Sequence, residues 1–353
     1  MSNPLRRGWT TGACATAATK AACTALLTGE FPDPVQITLP KGHTPAFALT
    51  QTSLADGVAM AAIVKDAGDD PDVTHGATIR ATVRHGPPGS GVTFRAGPGV
   101  GTVTKPGLPL PVGEPAINPV PRSLIRGVVA EVGGADISVE ISVDDGAEIA
   151  RRTWNPRLGI LGGLSILGTT GVVVPYSCSA WIDSIRRGVD VARAAGHQHV
   201  AACTGSTSEK TVTELYGLPE DALLDMGDFA GAVLKYLRRH PIPRLTIAGG
   251  FAKLSKLADG HLDLHSSRSQ VDLDRLAELA GDDRLRSANT AMEALQLAGG
   301  HLADLVADAA REQALAVLGA AGIEVDVLVI DRSGRPVGHA PRSTGASRGS
   351  PPR

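Results

Sequence analysis

Between two β-leaning runs stands Asp66-Ala-Gly-Asp-Asp-Pro-Asp-Val-Thr-His75-Gly76, which packs four aspartates and a histidine into ten positions. Asp and Gly satisfy tight turns locally, so a solvated Asx-rich turn would account for the spacing. So many like charges in one short loop also gain by binding a positive group or sharing a proton. Asp69, Asp70, Asp72 and His75 are therefore the candidate catalytic groups, able to move a proton or to face a developing positive charge.

A second chemistry-bearing segment runs from Asn155 to Pro175, where an apolar run leads into Gly168-Thr169-Thr170-Gly171 and a helix is expected after it. A glycine turn at the carboxyl end of a strand offers backbone donors and hydroxyls where α/β proteins bind nucleotide-like ligands; tight packing is the bland alternative. The lysine of a phosphate-binding loop is missing, which disfavours ATP chemistry. S-adenosylmethionine, with an adenosine and an amino-acid carboxylate but no phosphate, fits that absence, and these four residues are the expected cofactor site. Cys203-Thr-Gly-Ser-Thr-Ser-Glu209 and Ala248-Gly-Gly-Phe-Ala-Lys253-Leu-Ser-Lys256 are similar turns, so three would converge on one edge of a parallel sheet. Ser206 to Glu209 also has capping-box spacing. The glycine series 97–107 opens no helix in a βαβ unit and is a weak dinucleotide fingerprint.

Cationic groups complete the set. The proline-fixed stretch 112–122 carries Asn118 and ends in Arg122 just inside a helix, where a guanidinium can take a carboxylate bidentately. Lys253 and Lys256 share a helix face and either are solvated or meet an acidic ligand. These four are the candidate substrate-binding residues. His261 and His265 stand four apart, but no third ligand is evident and no metal site is expected.

The elements that must position these residues fall into two styles. Ala13 to Leu27 reads as a buried helix capped from Thr10-Thr11-Gly12, followed by short alternating runs up to 95. Val120, Leu124, Val128 and Val132 recur at helical spacing, and 137–143 alternates as a strand. Further on, strands at 198–203, 245–248 and 324–330 alternate with helices at 178–195, 209–216, 229–239, 251–258, 272–281, 287–298 and 301–320. The fold class is thus two domains: residues 1–150, an N-terminal α+β domain with a mixed or antiparallel sheet, and 151–335, a C-terminal α/β domain with a partly parallel sheet. Residues 341–353, all Ser, Gly, Arg, Pro, Thr and Ala, read as a disordered tail.

At 353 residues and 42% hydrophobic, the chain can bury two cores. Its 34 basic and 36 acidic residues nearly cancel, so no nucleic acid or anionic membrane is expected as partner. The first residues lack the apolar core of a signal peptide, no stretch suits a membrane helix, and a cytoplasmic location is expected. The four scattered cysteines suggest neither a disulfide framework nor an iron–sulfur cluster, and a homo-oligomer stays open.

Taken together, Arg7-Gly-Trp-Thr-Thr-Gly-Ala-Cys-Ala-Thr-Ala, the acidic loop from Asp66, Gly113-Glu-Pro-Ala-Ile-Asn-Pro-Val-Pro-Arg122, 155–171, and Lys253-Leu-Ser-Lys-Leu-Ala-Asp-Gly with His265-Ser resemble the cobalt-precorrin-5B C1-methyltransferases, the CbiD family. They stand in the family's order and span the chain to about residue 330. Pro175-Tyr-Ser departs from the family's usual Pro-Met-Ser, and Gly249-Gly-Phe-Ala from its Gly-His-x-Gly. The resemblance implies methyl transfer from S-adenosylmethionine to ring carbon 1 of cobalt-precorrin-5B, a tetrapyrrole. It gives cobalt-precorrin-6A, with cobalt present only as part of the substrate. An NAD(P)H-dependent reductase of a corrinoid precursor and a non-catalytic corrinoid carrier are the rival readings. The reductase calls for an acidic residue closing a strand about 20 residues after a glycine loop, and the sequence offers no convincing pair.

Overall fold

The computed structural model describes residues 5–342, so the tail expected from 341 lies outside the described residues apart from Pro341 and Arg342. The chain forms two compact units that divide between Cys178 and Ser179. The boundary expected near 150 is therefore displaced. Ile160–Leu161 pairs with Thr102–Val103, Gly163–Leu164 with Gly99–Val100, and Val172–Val173 with Gly8–Trp9, which ties 151–178 into the first unit. No helix among the described residues is long and apolar enough to cross a membrane.

In the first unit a five-stranded sheet runs in the order Gln51–Ala55, Val58–Val64, Thr78–His85, Ile137–Val143, Val92–Ala96. Neighbours are antiparallel except the last pair, which is parallel. Alternation decides which face is buried: Ile79, Ala81 and Val83 are fully buried, whereas Arg80, Thr82 and Arg84 between them are half-buried. On the buried face lies the helix Thr11–Thr28, packed against Val58–Val64 and Thr78–His85 and against the helix Pro119–Glu131. Alanines along its length let it approach the sheet closely, and Thr16 and Thr19 return their hydroxyls to the carbonyls of Gly12 and Ala15. Thr10 caps its start by accepting from the Ala13 N–H at 3.2 Å, as the sequence suggested, and Gly29 in the left-handed conformation ends it.

The second unit holds a sheet in the order Leu223–Asp225, His199–Cys203, Arg244–Gly250, Glu324–Ile330, Pro336–Ala340. The first four strands are parallel and the last antiparallel. Their apolar runs are buried on both faces under helices that include Ser179–Ala194, Ser206–Tyr216, Phe251–Ala258 and Gly300–Leu318. The second strand in sequence lies outside the first, and the third is added on the first strand's other side. The winding therefore reverses between His199–Cys203 and Arg244–Gly250.

Candidate functional site

The acidic loop of the first unit is a clasp. Arg6 donates from its backbone N–H to Asp69 at 2.6 Å, its guanidinium pairs with Asp66, and the Asp69 N–H returns to the Arg6 carbonyl at 2.9 Å. Trp9 donates to the Asp66 carbonyl at 2.7 Å, so the segment before the opening helix runs along the loop. The two backbones cross so closely that a Cβ on Gly8 would stand 2.0 Å from the Ala67 carbonyl carbon. Hydrogen bonds from Arg6 and from the Gly68 N–H hold the Asp66 carboxyl down at about 2.

The other members of the loop are equally engaged. Asp70 accepts from the Tyr176 N–H at 2.8 Å. Asp72 receives the Lys65 ammonium at 2.5 Å and both the N–H and hydroxyl of Thr74. Burial of Asp72 favours its neutral form, but the Lys65 charge and these donors outweigh that and keep it below the usual carboxylate range. Lys65 itself is 1% exposed. His75 Nδ1 accepts from the Ala67 N–H at 3.1 Å, which leaves Nε2 to carry the proton of the neutral ring. The positive partners that the loop's charge calls for are thus the chain's own Arg6 and Lys65. The sequence reading passed over Lys65.

The turn Gly168-Thr169-Thr170-Gly171 is not at the edge of the second unit's parallel sheet. Its flanks bind the start of the opening helix: the Gly12 N–H reaches the Leu167 carbonyl at 2.9 Å, and the Thr10 N–H that of Gly171 at 3.0 Å. A Cβ at Gly168 would fall 2.2 Å from the Thr10 hydroxyl, and one at Gly171 2.5 Å from Leu39. Close packing accounts for both glycines. Only the turns after 203 and 248 share a sheet edge, because the 155–171 segment pairs inside the first unit.

Asn118 precedes the helix Pro119–Glu131 and gives both its N–H and its side-chain amide to the Ile166 carbonyl. Arg122 donates to the carbonyls of Ile117 and Pro115 and to Glu114 at 2.8 Å, while its guanidinium lies 5.0 Å from the Phe94 ring centre. It staples the proline-rich stretch to the sheet. One turn on, Arg126 lies 5.0 Å from the same ring and is exposed, a cation the sequence reading passed over.

In the second unit the carboxyl ends of the strands gather a different set. The Thr204 N–H reaches the Ala248 carbonyl, and the Met226 N–H the Cys203 carbonyl, so three strand ends are knitted together. Lys253, at the start of Phe251–Ala258, lies 3.0 Å from Asp228 and reaches the Thr204 carbonyl at 3.3 Å. Lys256 does not share its situation: it is 7% exposed and donates to the Leu264 carbonyl at 2.9 Å. Trp181, 42% exposed, donates its indole N–H to the Asp225 carbonyl at 3.0 Å and packs against Phe229.

At the opposite edge of that sheet Asp326, 1% exposed, accepts from Tyr216 at 2.9 Å and Thr246 at 3.0 Å, with Arg244 at 3.4 Å. His199 pairs with the Thr246 hydroxyl at 2.7 Å. Burial, followed by the Arg244 charge, depresses His199 to about 4; burial and then Asp326 push Tyr216 up to about 12.

Comparison with known proteins adds a lineage. The family model CbiD matches residues 1–175, and the model CbiD, C-terminal domain, matches 263–341. A protein of Paramagnetospirillum magneticum, named cobalt-precorrin-5B C(1)-methyltransferase, is 64% identical over 350 residues, which is 95% of this chain and 98% of that protein. A namesake from Brucella anthropi is 65% identical, covering 94% of each chain, and one from Rhodospirillum rubrum 64%, covering 95% and 97%. A crystal structure of a cobalamin biosynthesis protein (cbiD) from Archaeoglobus fulgidus is 25% identical and covers 84% of this chain and 85% of that one, with a TM-score of 0.40.

Proposed function

The chain belongs to the CbiD family, and from that premise we propose that it moves a methyl group from S-adenosylmethionine to ring carbon 1 of cobalt-precorrin-5B. The observation that carries this reading is identity of 64% over 95% of the chain to an enzyme named for that methylation, an extent that takes in both units.

The chemistry is an in-line displacement. The bond from methyl carbon to sulfur breaks with its electron pair left on sulfur, as the ring carbon supplies the pair for the new carbon–carbon bond. No protein nucleophile is needed, and rate comes from holding the two reactants collinear and close. Cobalt enters with the substrate. In this reading Asp69, Asp70 and Asp72 hold the loop and the segments at Arg6 and Tyr176 in place, and His75 is the one member with a ring nitrogen left to donate. For the carboxylates of the macrocycle we assign Arg126, set beside Phe94 by the anchored Asn118 and Arg122.

Calorimetric titration of the purified protein with S-adenosylhomocysteine and, separately, with NADPH tests the reading. Saturable binding of the first alone is expected. Binding of NADPH alone would overturn it in favour of a reductase.

A further inference from the structure

We propose that the methyl donor is held in the second unit, at the reversal of winding between His199–Cys203 and Arg244–Gly250, with its ribose hydroxyls read by Asp225; this rests on the methyltransferase reading above. In open parallel sheets a ligand binds in the crevice outside the carboxyl ends of the strands where the strand order reverses. Nucleosides there follow a recurrent plan: a glycine turn after the first strand admits the ligand to bare backbone, and a carboxylate closing the second strand takes the ribose. Both parts are present. Gly205 follows the first strand, and Asp225, 20 positions later, closes the second, standing beside Cys203 in parallel register.

Three further observations fit an adenosyl ligand. A Cβ built on Gly205 or on Gly250, at the ends of the two strands that flank the reversal, meets nothing within 4 Å, so the backbone there is open. The half-exposed indole of Trp181, tied to the Asp225 carbonyl, offers a flat apolar surface beside the same strand end. Lys253, in the first turn of the helix Phe251–Ala258, and Asp228, just before the helix Ala230–Leu237, present one charge of each sign, matching the carboxylate and ammonium of an amino acid. The turn Thr204-Gly205-Ser206 has one glycine and lacks the second and third of a dinucleotide fingerprint, which suits a donor with no pyrophosphate.

The test is calorimetry with S-adenosylhomocysteine and its 2′-deoxy analogue on the wild-type protein, Asp225→Asn and Gly205→Val. Loss of a hydrogen bond to a charged acceptor lowers affinity about ten- to a hundredfold. That loss is expected for Asp225→Asn with the natural ligand and for the wild type with the deoxy analogue. Removing the hydroxyl should then cost Asp225→Asn little more, since the two changes delete one interaction. Gly205 has φ 163°, an extended conformation open to any residue, so valine there leaves the fold intact while filling the crevice; binding should be lost at unchanged unfolding temperature. Wild-type affinity in either variant, or an undiminished deoxy penalty in Asp225→Asn, overturns the placement while the methyltransferase reading stands. Failure of the wild type to bind S-adenosylhomocysteine overturns both.

Discussion

Gly168→Ala should destabilise the first unit strongly without touching donor affinity, because the glycine is there for packing. Gly168 has φ +137°, a conformation that costs a residue with a Cβ about 1–3 kcal/mol. The new Cβ would lie 2.2 Å from the Thr10 hydroxyl and 2.5 Å from the Thr10 Cβ, so Thr10 must shift. Its hydroxyl caps the opening helix at Ala13, and losing such a cap costs about 1 kcal/mol. Overpacking adds about 1–3 kcal/mol, part of it relieved by the same shift. The expected total is about 3–5 kcal/mol. Urea unfolding should show a lower midpoint at unchanged slope. Thr10→Gly removes the obstacle at a capping loss of only a few tenths of a kcal/mol, so adding it to Gly168→Ala should recover roughly half of the damage. A variant that unfolds at the wild-type midpoint yet no longer binds S-adenosylhomocysteine would refute this account and make the turn a ligand cradle.

Lys65→Met leaves the Asp72 carboxylate without its buried charge partner and should lower unfolding free energy by about 3–5 kcal/mol; Lys65→Met with Asp72→Asn should be more stable than Lys65→Met alone, and the reverse order would rule out the pair as the cause. His199 titrates at about 4 in the folded protein against its ordinary 6.5, so between these values the unfolded chain binds a proton that the folded one refuses. Stability of the second unit should therefore be whole above pH 6.5 and fall as the pH drops toward 4, by about 1–2 kcal/mol after discounting for partial solvent access. His199→Gln should flatten that slope, and a slope that persists would clear His199. Burial pushes the thiols of Cys14 and Cys23 up to about 12, Cys203 is also buried, and Cys178 is exposed. A chromogenic disulfide reagent at pH 8 should titrate Cys178 rapidly and the other three only in denaturant; rapid reaction of a second thiol would contradict this packing.

Local pattern alone determined a good deal. The Thr10 cap before an alanine-rich run set the opening helix, alternation set the strand at 137–143, and apolar runs between helical patterns set strands at 198–203, 245–248 and 324–330, which the fold forms as His199–Cys203, Arg244–Gly250 and Glu324–Ile330. Each is a property of residues a few positions apart, which is where periodicity carries information. The ordered motifs likewise pointed to the family without any coordinates.

What spacing along the chain could not decide was which distant segments lie side by side. Gly163–Leu164 and Val172–Val173 are two-residue strands with no period of their own, and their ladders to Gly99–Val100 and Gly8–Trp9 carried the glycine turn away from the edge where sequence reasoning set it. The acidic loop looked like a site awaiting a cation until the fold brought Arg6 and Lys65 to it. Leu223–Asp225 has only three residues, so the carboxylate that stands 20 positions after Gly205 showed no strand to close. Its meaning appears only when the strand takes its place beside His199–Cys203, because a hydrogen-bond ladder between segments, and not the residues of either one, decides which side chains share a sheet edge.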